Sequence, residues 1–261
     1  MTQATSVHPS AQVAASDIGS GVRIEALAIV GVGAVLRDGC TVGAGACVGE
    51  RAHIGAGAVL GDGAIVSSGV HIGERARIEA GALVTDRVPP HAIVRGRSAT
   101  IVGYAGGVSV LPQRLATPHV GVTDSVVTGV RFHVMREVRD MRGDLCAAEF
   151  GADFPFQVRR SFLVYNVPSA EVRGEHAHRQ CEQFLMAVQG SVHVVVDDGH
   201  RREEFRLDRR NQGLYLPPMV WGTQYRYSED AVLLVLASHA YDPADYVRDY
   251  AQFLASARGG E

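Results

Sequence analysis

Aliphatic residues recur at every sixth position through the first third of the chain. Counted in steps of six, the positions are Ile18, Ile24, Val30, Leu36, Val42, Val48, Ile54, Leu60, Val66, Ile72, Ile78 and Val84. Neither the 3.6-residue period of an α-helix nor the two-residue alternation of a β-strand produces this repeat. A six-residue repeat is typical of a parallel β-solenoid, in which each coil has three short faces.

Glycine follows seven of these twelve aliphatic residues, as at Gly31, Gly49 and Gly73, and small residues crowd the positions between. We expect the aliphatic side chains to fill the interior, and the glycines to relax the backbone where the chain turns a corner. The hexads correspond to about four coils of eighteen residues. Each coil buries its interior against the next, so the stack is predicted to be cooperatively stable.

The six-residue period stops near residue 104, and the following segment, rich in glycine and proline, predicts a linker. Strand-length apolar runs separated by turn signals come next: Val130–Val134, Ser161–Val167, Gln183–Val188, Ser191–Val196, Gly213–Leu216, Tyr225–Tyr227 and Ala231–Ala237. Such runs predict a β-sandwich or barrel, and helical spacing over Asp242–Ala255 predicts a closing helix. The predicted domains are residues 1–104 and 125–261, joined by a linker over 105–124.

Composition narrows the function classes. The formal net charge is −3 over 261 residues, which argues against a nucleic-acid partner. The four cysteines show no CxxC pair, the N-terminus has no signal-peptide pattern, and no apolar run approaches the length of a membrane span. We therefore expect a cytoplasmic protein without a membrane partner.

Candidate chemistry concentrates in the stretch RGEHAHRQCEQF, residues 173–184. On a strand His176 and His178 share one face, and Glu182 joins them if the strand continues. Two histidines and a glutamate on the inner face of a barrel would be a candidate metal site. However, the later strand that could complete such a site, within Gly213–Ser228, contains no histidine. We therefore predict no metal and favour proton transfer by the two histidines, with a structural role as the alternative.

Two families resemble this chain. The hexads and the stretch Val84–Tyr104 resemble the left-handed β-helix of the hexapeptide-repeat acyltransferases. Four later blocks, Arg173–Leu185, Val194–Gly199, Gly213–Tyr225 and Asp230–Leu254, resemble the nucleotide-sugar 3,4-ketoisomerases, especially the type that joins both domains. The resemblance implies a mainly β protein: an N-terminal left-handed β-helix, then a cupin (jelly-roll) barrel with a C-terminal helix.

The ketoisomerase resemblance also implies an activity. Members of the family move the ketone of dTDP-4-keto-6-deoxyglucose from C4 to C3 through an enediol, without a metal or redox cofactor. The base comes from the histidine pair, and either His176 or His178 is a candidate. Residues expected to bind the dTDP-linked sugar are Arg142 in the stretch DMRGDL, Arg173, Glu182, Tyr165, Trp221 and Tyr225. Each arginine could instead form a surface ion pair, and Trp221 and Tyr225 could instead be core aromatics.

Other functions stay open from the sequence. An epimerase would use the same base on a similar sugar, and a non-catalytic domain would only bind it. The N-terminal domain could be a trimerising scaffold or an N-acyltransferase, with acetyl-CoA as its candidate cofactor. Its hexads run without interruption, so the acceptor-binding loop of sugar acetyltransferases is absent. A homo-oligomer is expected, either a trimer or a hexamer.

Overall fold

The computed structural model describes residues 4–14, 17–96, 99–106, 108–109, 120–151, 153–168 and 171–258. Two compact units divide the chain, Met1–Gly106 and Gly107–Glu261. The predicted linker, residues 105–124, overlaps this division. Within that segment, residues 107 and 110–119 lie outside the described residues, while Gly121–Asp124 forms a strand of the second unit.

The first unit is a parallel β-solenoid with three faces. Its coils are built from two-residue strands: β1 (Ser6–Val7), β2 (Gln12–Val13), β3 (Asp17–Ile18), β4 (Arg23–Ile24), β5 (Ile29–Val30), β6 (Val35–Leu36), β7 (Thr41–Val42), β8 (Cys47–Val48), β9 (His53–Ile54), β10 (Val59–Leu60), β11 (Ile65–Val66), β12 (His71–Ile72), β13 (Arg77–Ile78) and β14 (Leu83–Val84). The order of the three sheets is β1-β4-β7-β10-β13, β14-β11-β8-β5-β2 and β12-β9-β6-β3. β15 (Ala92–Arg95) continues the first sheet beside β13, and β16 (Thr100–Tyr104) pairs antiparallel with β15.

The interior of the solenoid confirms the hexad prediction. From Ile24 to Val84 every sixth residue is buried, and buried alanines such as Ala28 and Ala52 lie two residues before them. Ile18 is the exception, with 38% of its surface exposed. Among the described strands, β3 is the last of its sheet and pairs with β6 alone, so no described coil covers one side of Ile18.

The glycines that follow the aliphatic residues serve a purpose other than the predicted one. Gly31, Gly49 and Gly73 are not among the residues with positive φ, so no unusual backbone angle requires glycine there. The requirement is steric: a Cβ on Gly49 would lie 2.4 Å from the backbone nitrogen of Ser68 in the next coil. Glycine therefore allows successive coils to approach each other at these corners.

This close approach predicts the effect of a single methyl group. We expect Gly49→Ala to destabilise the solenoid by about 1–3 kcal/mol, because the backbone around Ser68 must move to admit it. Gly103→Ala is the matched control, since a Cβ there would meet no atom within 4 Å, and its effect should stay within about 0.5 kcal/mol. Urea unfolding measures both. Equal stability of the two variants would contradict the steric explanation.

The second unit contains two six-stranded sheets. Its strands are β17 (Val108–Ser109), β18 (Gly121–Asp124), β19 (Arg131–Val134), β20 (Glu137–Asp140), β21 (Gly143–Cys146), β22 (Arg160–Tyr165), β23 (Arg173–His178), β24 (Gln183–Gln189), β25 (Val192–Asp197), β26 (Arg202–Leu207), β27 (Gln212–Leu216), β28 (Trp221–Tyr225), β29 (Val232–Ala237) and β30 (Tyr246–Val247). One sheet has the order β17-β26-β25-β28-β23-β30 and the other β18-β19-β27-β24-β29-β22. β20 and β21 form a separate hairpin.

Apolar residues from both sheets form the core of this unit. Val194 and Phe205 of the first sheet belong to the same buried cluster as Leu185, Leu214 and Leu233 of the second. The predicted sandwich of mainly β structure is confirmed. A 3₁₀ turn (Pro243–Asp245) and helix α1 (Tyr250–Arg258) follow the last long strand.

The closing helix is shorter than the pattern over Asp242–Ala255 predicts. Asp242 accepts a hydrogen bond from the backbone N–H of Ala244 and caps only the 3₁₀ turn, and β30 then separates this turn from α1. The apolar face of α1 packs on Ala177 and Trp221. Within the described ranges, no helix combines the length and apolarity needed to cross a bilayer.

Candidate active site

The histidine pair lies on β23, between β28 and β30. Just before the pair the strand bulges, because Gly174 and Glu175 both have positive φ, 80° and 52°, and the register with β28 shifts. Only glycine suits position 174, since a Cβ would lie 2.6 Å from the carbonyl oxygen of Gly222. Bulges re-aim the side chains that follow them. Here the bulge decides which face of the sheet receives His176.

Both histidines open onto one pocket, as the strand alternation predicts. Its lining residues are His176, His178, Cys181, Gln183, Leu216, Pro217, Val220, Gly222 and Gln224. Leu216 and Val220 also belong to the core between the sheets, so the polar groups converge over an apolar floor. Ala177 points to the opposite face and packs under α1. An apolar pocket with a few convergent polar groups is the usual form of a small-molecule site.

His178 is held at both ring nitrogens. Its Nδ1 lies 2.7 Å from Oδ2 of Asp245, and its Nε2 lies 3.0 Å from Nε2 of Gln183. A carboxylate only accepts and an amide nitrogen only donates. The neutral ring therefore carries its proton on Nδ1 and has its lone pair on Nε2. Asp245 is placed by the 3₁₀ turn just before β30, whose Tyr246 pairs with His178.

His176 has a different environment. Its Nδ1 donates to the carbonyl oxygen of Gly174 at 2.8 Å, and within the described residues its Nε2 makes no hydrogen bond. The two imidazole rings are nearly perpendicular, with centroids 4.9 Å apart. The ring of Tyr246 packs against both, at 4.8 Å from His176 and 4.4 Å from His178. Among the described residues, His176 thus keeps one ring nitrogen without a hydrogen bond and has no carboxylate hydrogen-bonded to the other.

Burial lowers the basicity of both histidines. It reduces the pKa of His176 to about 4; the hydrogen bond to the carbonyl of Gly174 opposes this, and the neighbouring His178 and Arg248 lower the pKa a little more. Burial also lowers the pKa of His178, although the hydrogen bond and charge of Asp245 oppose this. Burial alone would raise the pKa of Asp245, but the N–H donors of His178 and Gln180 outweigh it and lower that pKa. The carboxylate is therefore ionised beside a neutral imidazole.

The low pKa of His176 predicts how stability depends on pH. An unfolded histidine titrates near 6.5 and the folded His176 near 4, so the folded state prefers the neutral ring. The free energy of unfolding therefore keeps its full value, as far as His176 is concerned, above pH 6.5. It falls by at most about 3 kcal/mol as the pH drops from 6.5 toward 4. Urea unfolding at pH 7 and pH 5 should show a smaller loss for His176→Asn than for the wild type. His200→Asn, at an exposed position, should retain the wild-type loss. An unchanged loss in His176→Asn would contradict the prediction.

One group of side chains near the pair has the composition of a metal site. His178, Cys181 and Asp245 place one potential ligand atom each within 4.8 Å of one another. These atoms are already engaged in hydrogen bonds. Asp245 accepts from His178 and from the backbone N–H groups of Gln180 and Cys181, and the thiol of Cys181 approaches the carbonyl oxygen of Glu182 at 3.4 Å. The donor set fits a hydrogen-bonded histidine–carboxylate pair.

The two predicted sugar-binding arginines occupy different places. Arg173 pairs with Gln224 across β23 and β28. Paired residues share a face, so Arg173 lies on the pocket side at an exposed position. Arg142 lies on the turn of the β20–β21 hairpin, outside the pocket lining, and forms a 2.6 Å ion pair with Asp140 at a largely exposed position. The binding roles of both stay predictions.

Glu182 does not join the histidines, because the condition of that prediction, a strand that continues past His178, is not met. β23 ends at His178, and the chain turns through residues 179–182 into the other sheet. Glu182 lies near Tyr215, because its charge raises the pKa of that tyrosine, although burial raises it more. Tyr215 packs in a cluster with Phe154 and Phe184, apart from the pocket. Gln183 faces the pocket instead. Tyr165 is 59% exposed at the end of β22, where Phe162 and Val164 alternate toward the core.

Trp221 and Tyr225 are core aromatics rather than pocket residues. Trp221 packs edge-on against Tyr250, 5.1 Å between centroids, beneath α1. The hydroxyl of Tyr225 donates to Oε1 of Glu204 at 2.5 Å, and the same oxygen lies 2.7 Å from Nδ1 of His193. Alternation along β28 explains this, because Gly222 and Gln224 take the pocket side.

Four residues near the pocket were missed by the sequence analysis. Asp245 and Gln183 bind the two nitrogens of His178. Arg160 and Arg248 are close enough for their charges to lower the pKa of His178. Gln183 lies within the stretch RGEHAHRQCEQF, five residues after His178, so its amide could have been proposed from the sequence as a partner of the histidines. Asp245 is 67 residues from His178, and no spacing rule links the two.

Comparison with known proteins identifies both units. The family model FdtA, described as WxcM-like, C-terminal, matches residues 128–258. A model of the bacterial transferase hexapeptide, six repeats, matches residues 51–86. The TDP-4-oxo-6-deoxy-alpha-D-glucose-3,4-oxoisomerase of Aneurinibacillus thermoaerophilus is 40% identical over 118 residues, which are 45% of this chain and 85% of that protein.

Solved structures give the same result. The sugar 3,4-ketoisomerase QdtA of Thermoanaerobacterium thermosaccharolyticum, in complex with TDP, is 30% identical with a TM-score of 0.50, over 51% of this chain and 98% of QdtA. A histidine-to-asparagine variant of QdtA, in complex with TDP-4-keto-6-deoxyglucose, matches with the same identity and TM-score over 52% of this chain and 98% of that one. The family match spans half of the chain, and the chain belongs to the WxcM-like C-terminal family, with a hexapeptide-repeat solenoid preceding that domain.

Proposed function

We propose that the second unit is a 3,4-ketoisomerase that moves the keto group of TDP-4-keto-6-deoxyglucose from C4 to C3, with His178 as the base. The observation that carries this proposal is the contact between His178 Nδ1 and Asp245, 2.7 Å long. Because this contact holds the ring proton on Nδ1, the lone pair of the ring is on Nε2, which faces the pocket. The printed activity of the Aneurinibacillus relative and the substrate bound to the QdtA variant support the choice of sugar.

The proposed reaction has a net shift of two hydrogens, one from C3 to C4 and one from the C3 oxygen to the C4 oxygen. His178 Nε2 takes the proton from C3, the electrons of that bond form a C3–C4 double bond, and the C4 oxygen gains a proton to give an enediol. The C3 hydroxyl then releases a proton to solvent, which balances the one that the C4 oxygen took up. C4 receives the proton held by His178, after exchange with solvent, which leaves the ketone on C3 and His178 neutral again. Asp245 stabilises the imidazolium formed in the first step and holds the ring in the correct tautomer.

His178 suits the base better than His176 for an electrostatic reason. A proton gained at Nε2 of His178 is stabilised by an ionised carboxylate on the other side of the ring. His176 donates to a neutral carbonyl, so its imidazolium has less support, and burial lowers its pKa to about 4. We assign His176 to the wall of the sugar site, where its free Nε2 can contact a hydroxyl or carry the second proton.

The diphosphate of the substrate needs cations at the rim. Arg248 lies over the ring of Tyr246 at 4.2 Å, and Arg160 lies over that of Phe162 at 4.6 Å. The charges of both act on His178. Guanidinium groups held by aromatic rings are suited to bidentate phosphate contacts. We add these two arginines to Arg142 and Arg173 as candidates for the diphosphate.

Incubation with TDP-4-keto-6-deoxyglucose in deuterated water tests the proposal. Proton abstraction at C3 and return at C4 should yield a 3-keto sugar with solvent deuterium at C4, observed by NMR. An epimerase would leave the ketone on C4 and introduce deuterium at an inverted carbon. Recovery of unchanged substrate, with no deuterium at C3 and no 3-keto product, would overturn the proposal for this sugar.

A further inference from the structure

The amide of Gln183 occupies the space beside Nε2 of His178 that the C3–H of the substrate would need. The amide nitrogen lies 3.0 Å from Nε2 of His178, and both side chains are buried, with 8% and 7% of their surfaces exposed. The backbone fixes this contact, because Gln183 begins β24 and pairs with both Leu216 and Ala237. The amide is thus presented by the central part of a sheet rather than by a loop.

The contact is compatible with only one protonation state of the ring. Nδ1 of His178 carries a proton toward Asp245, so the neutral ring accepts at Nε2 and the amide N–H supplies the donor. If Nε2 gained a proton, two donors would face each other. The amide would then have to rotate its oxygen toward the ring or move away. The Gln183 N–H therefore favours neutral His178.

Other groups around His178 act in both directions. Asp245 favours the charged ring, whereas burial and the charges of Arg160 and Arg248 disfavour it. The edge of His176, the ring of Tyr246 and the thiol of Cys181 complete the surroundings. Asp245 alone would draw a proton onto the base. Gln183 is the neutral group that opposes it by direct contact at the reacting nitrogen.

We propose that Gln183 is a positioning residue that keeps His178 neutral, with its lone pair directed at the pocket, until the substrate takes its place. This inference rests on the proposed function for the identity of the displacing group, the C3–H of the sugar. On displacement the amide N–H lies beside the carbon that reacts. It can then donate to the C3 or C4 oxygen, where negative charge develops.

Titration of His178 tests the inference without substrate. Histidine labelled with ¹³C at Cε1 gives one NMR signal per ring, and the His178→Asn variant identifies the relevant one. Gln183→Met keeps the length of the side chain but removes the donor, so the midpoint should rise. Gln183→Glu places a carboxylate at Nε2 and should raise it further, by about two pH units. Gln224→Met is the matched control, because the amide of Gln224 lines the same pocket but bonds Tyr227.

The order of the titration midpoints decides whether Gln183 keeps His178 neutral. A midpoint that rises in the order wild type, Gln183→Met, Gln183→Glu, and does not rise in Gln224→Met, supports it. An unchanged midpoint in both Gln183 variants overturns it, whatever the activity of the protein. The acidic limb of kcat/KM should move to higher pH in the same order. Absence of ketoisomerisation in the wild type would refute the proposed function but leave the titration result standing.

Discussion

Replacing His178 with asparagine is expected to lower kcat for ketoisomerisation by roughly 10⁴-fold, the upper range for loss of a general base. The amide nitrogen of asparagine can replace Nδ1 as the donor to Asp245, but asparagine has no group that can accept a proton from carbon. Because the replacement is smaller than the buried ring, binding of the sugar nucleotide should persist. Initial rates followed by NMR give kcat, and calorimetry with TDP gives the affinity.

A matched control for His178→Asn exists on the opposite face of the same sheet. His193 contacts Glu204 through Nδ1 at 2.7 Å, the geometry of the His178–Asp245 pair, but it lies outside the pocket lining. His193→Asn should retain activity within a few-fold. If His178→Asn kept activity within tenfold of the wild type, another residue would be the base.

Replacing Asp245 with asparagine is the second large expected effect, a loss of roughly 10³-fold in kcat. The amide oxygen can keep the hydrogen bond from the backbone N–H of Gln180, 2.7 Å long in the wild type. The amide nitrogen then faces Nδ1 of His178 and donates to it. The ring proton is forced to Nε2, and the lone pair no longer faces the pocket.

The tautomer change distinguishes Asp245→Asn from simple unfolding. The ¹⁵N shifts of the His178 ring should exchange between Nδ1 and Nε2, while the thermal unfolding temperature changes only slightly. Glu204→Gln repeats the substitution at the His193 pair and should leave kcat within a few-fold. A wild-type tautomer together with full activity in Asp245→Asn would remove Asp245 from the mechanism.

The solenoid was predictable almost residue by residue, for a physical reason. In a stack of equal coils the environment of a residue is set by its position in the repeat, so one period in the sequence fixes the buried set from Ile24 to Val84. The purpose of the glycines was not predictable in this way. A Cβ on Gly49 would lie 2.4 Å from the backbone nitrogen of Ser68. That nitrogen belongs to the next coil, and sequence alone does not give the separation of the coils.

The site of the second unit was only partly predictable. Alternation placed His176 and His178 on one face, because both precede the end of β23. It failed for Glu182 beyond that end, where the chain changes sheets, and Gln183 reaches the pocket instead. For Trp221 and Tyr225 the sequence left two interpretations open, contact with the sugar nucleotide or a place among the core aromatics. The register of β28 against β23 and β25 turns both of them away from the pocket, to buried positions on the other face of the sheet.

The product of the wild-type reaction tests the central claim most directly. TDP-4-keto-6-deoxyglucose labelled with ¹³C in the sugar should be incubated with the full chain and followed by ¹³C NMR. We expect the ketone resonance at C4 to decrease while a ketone resonance at C3 appears. A ketone that stays at C4, with or without inversion at a neighbouring carbon, would contradict the assignment of this site to 3,4-ketoisomerisation.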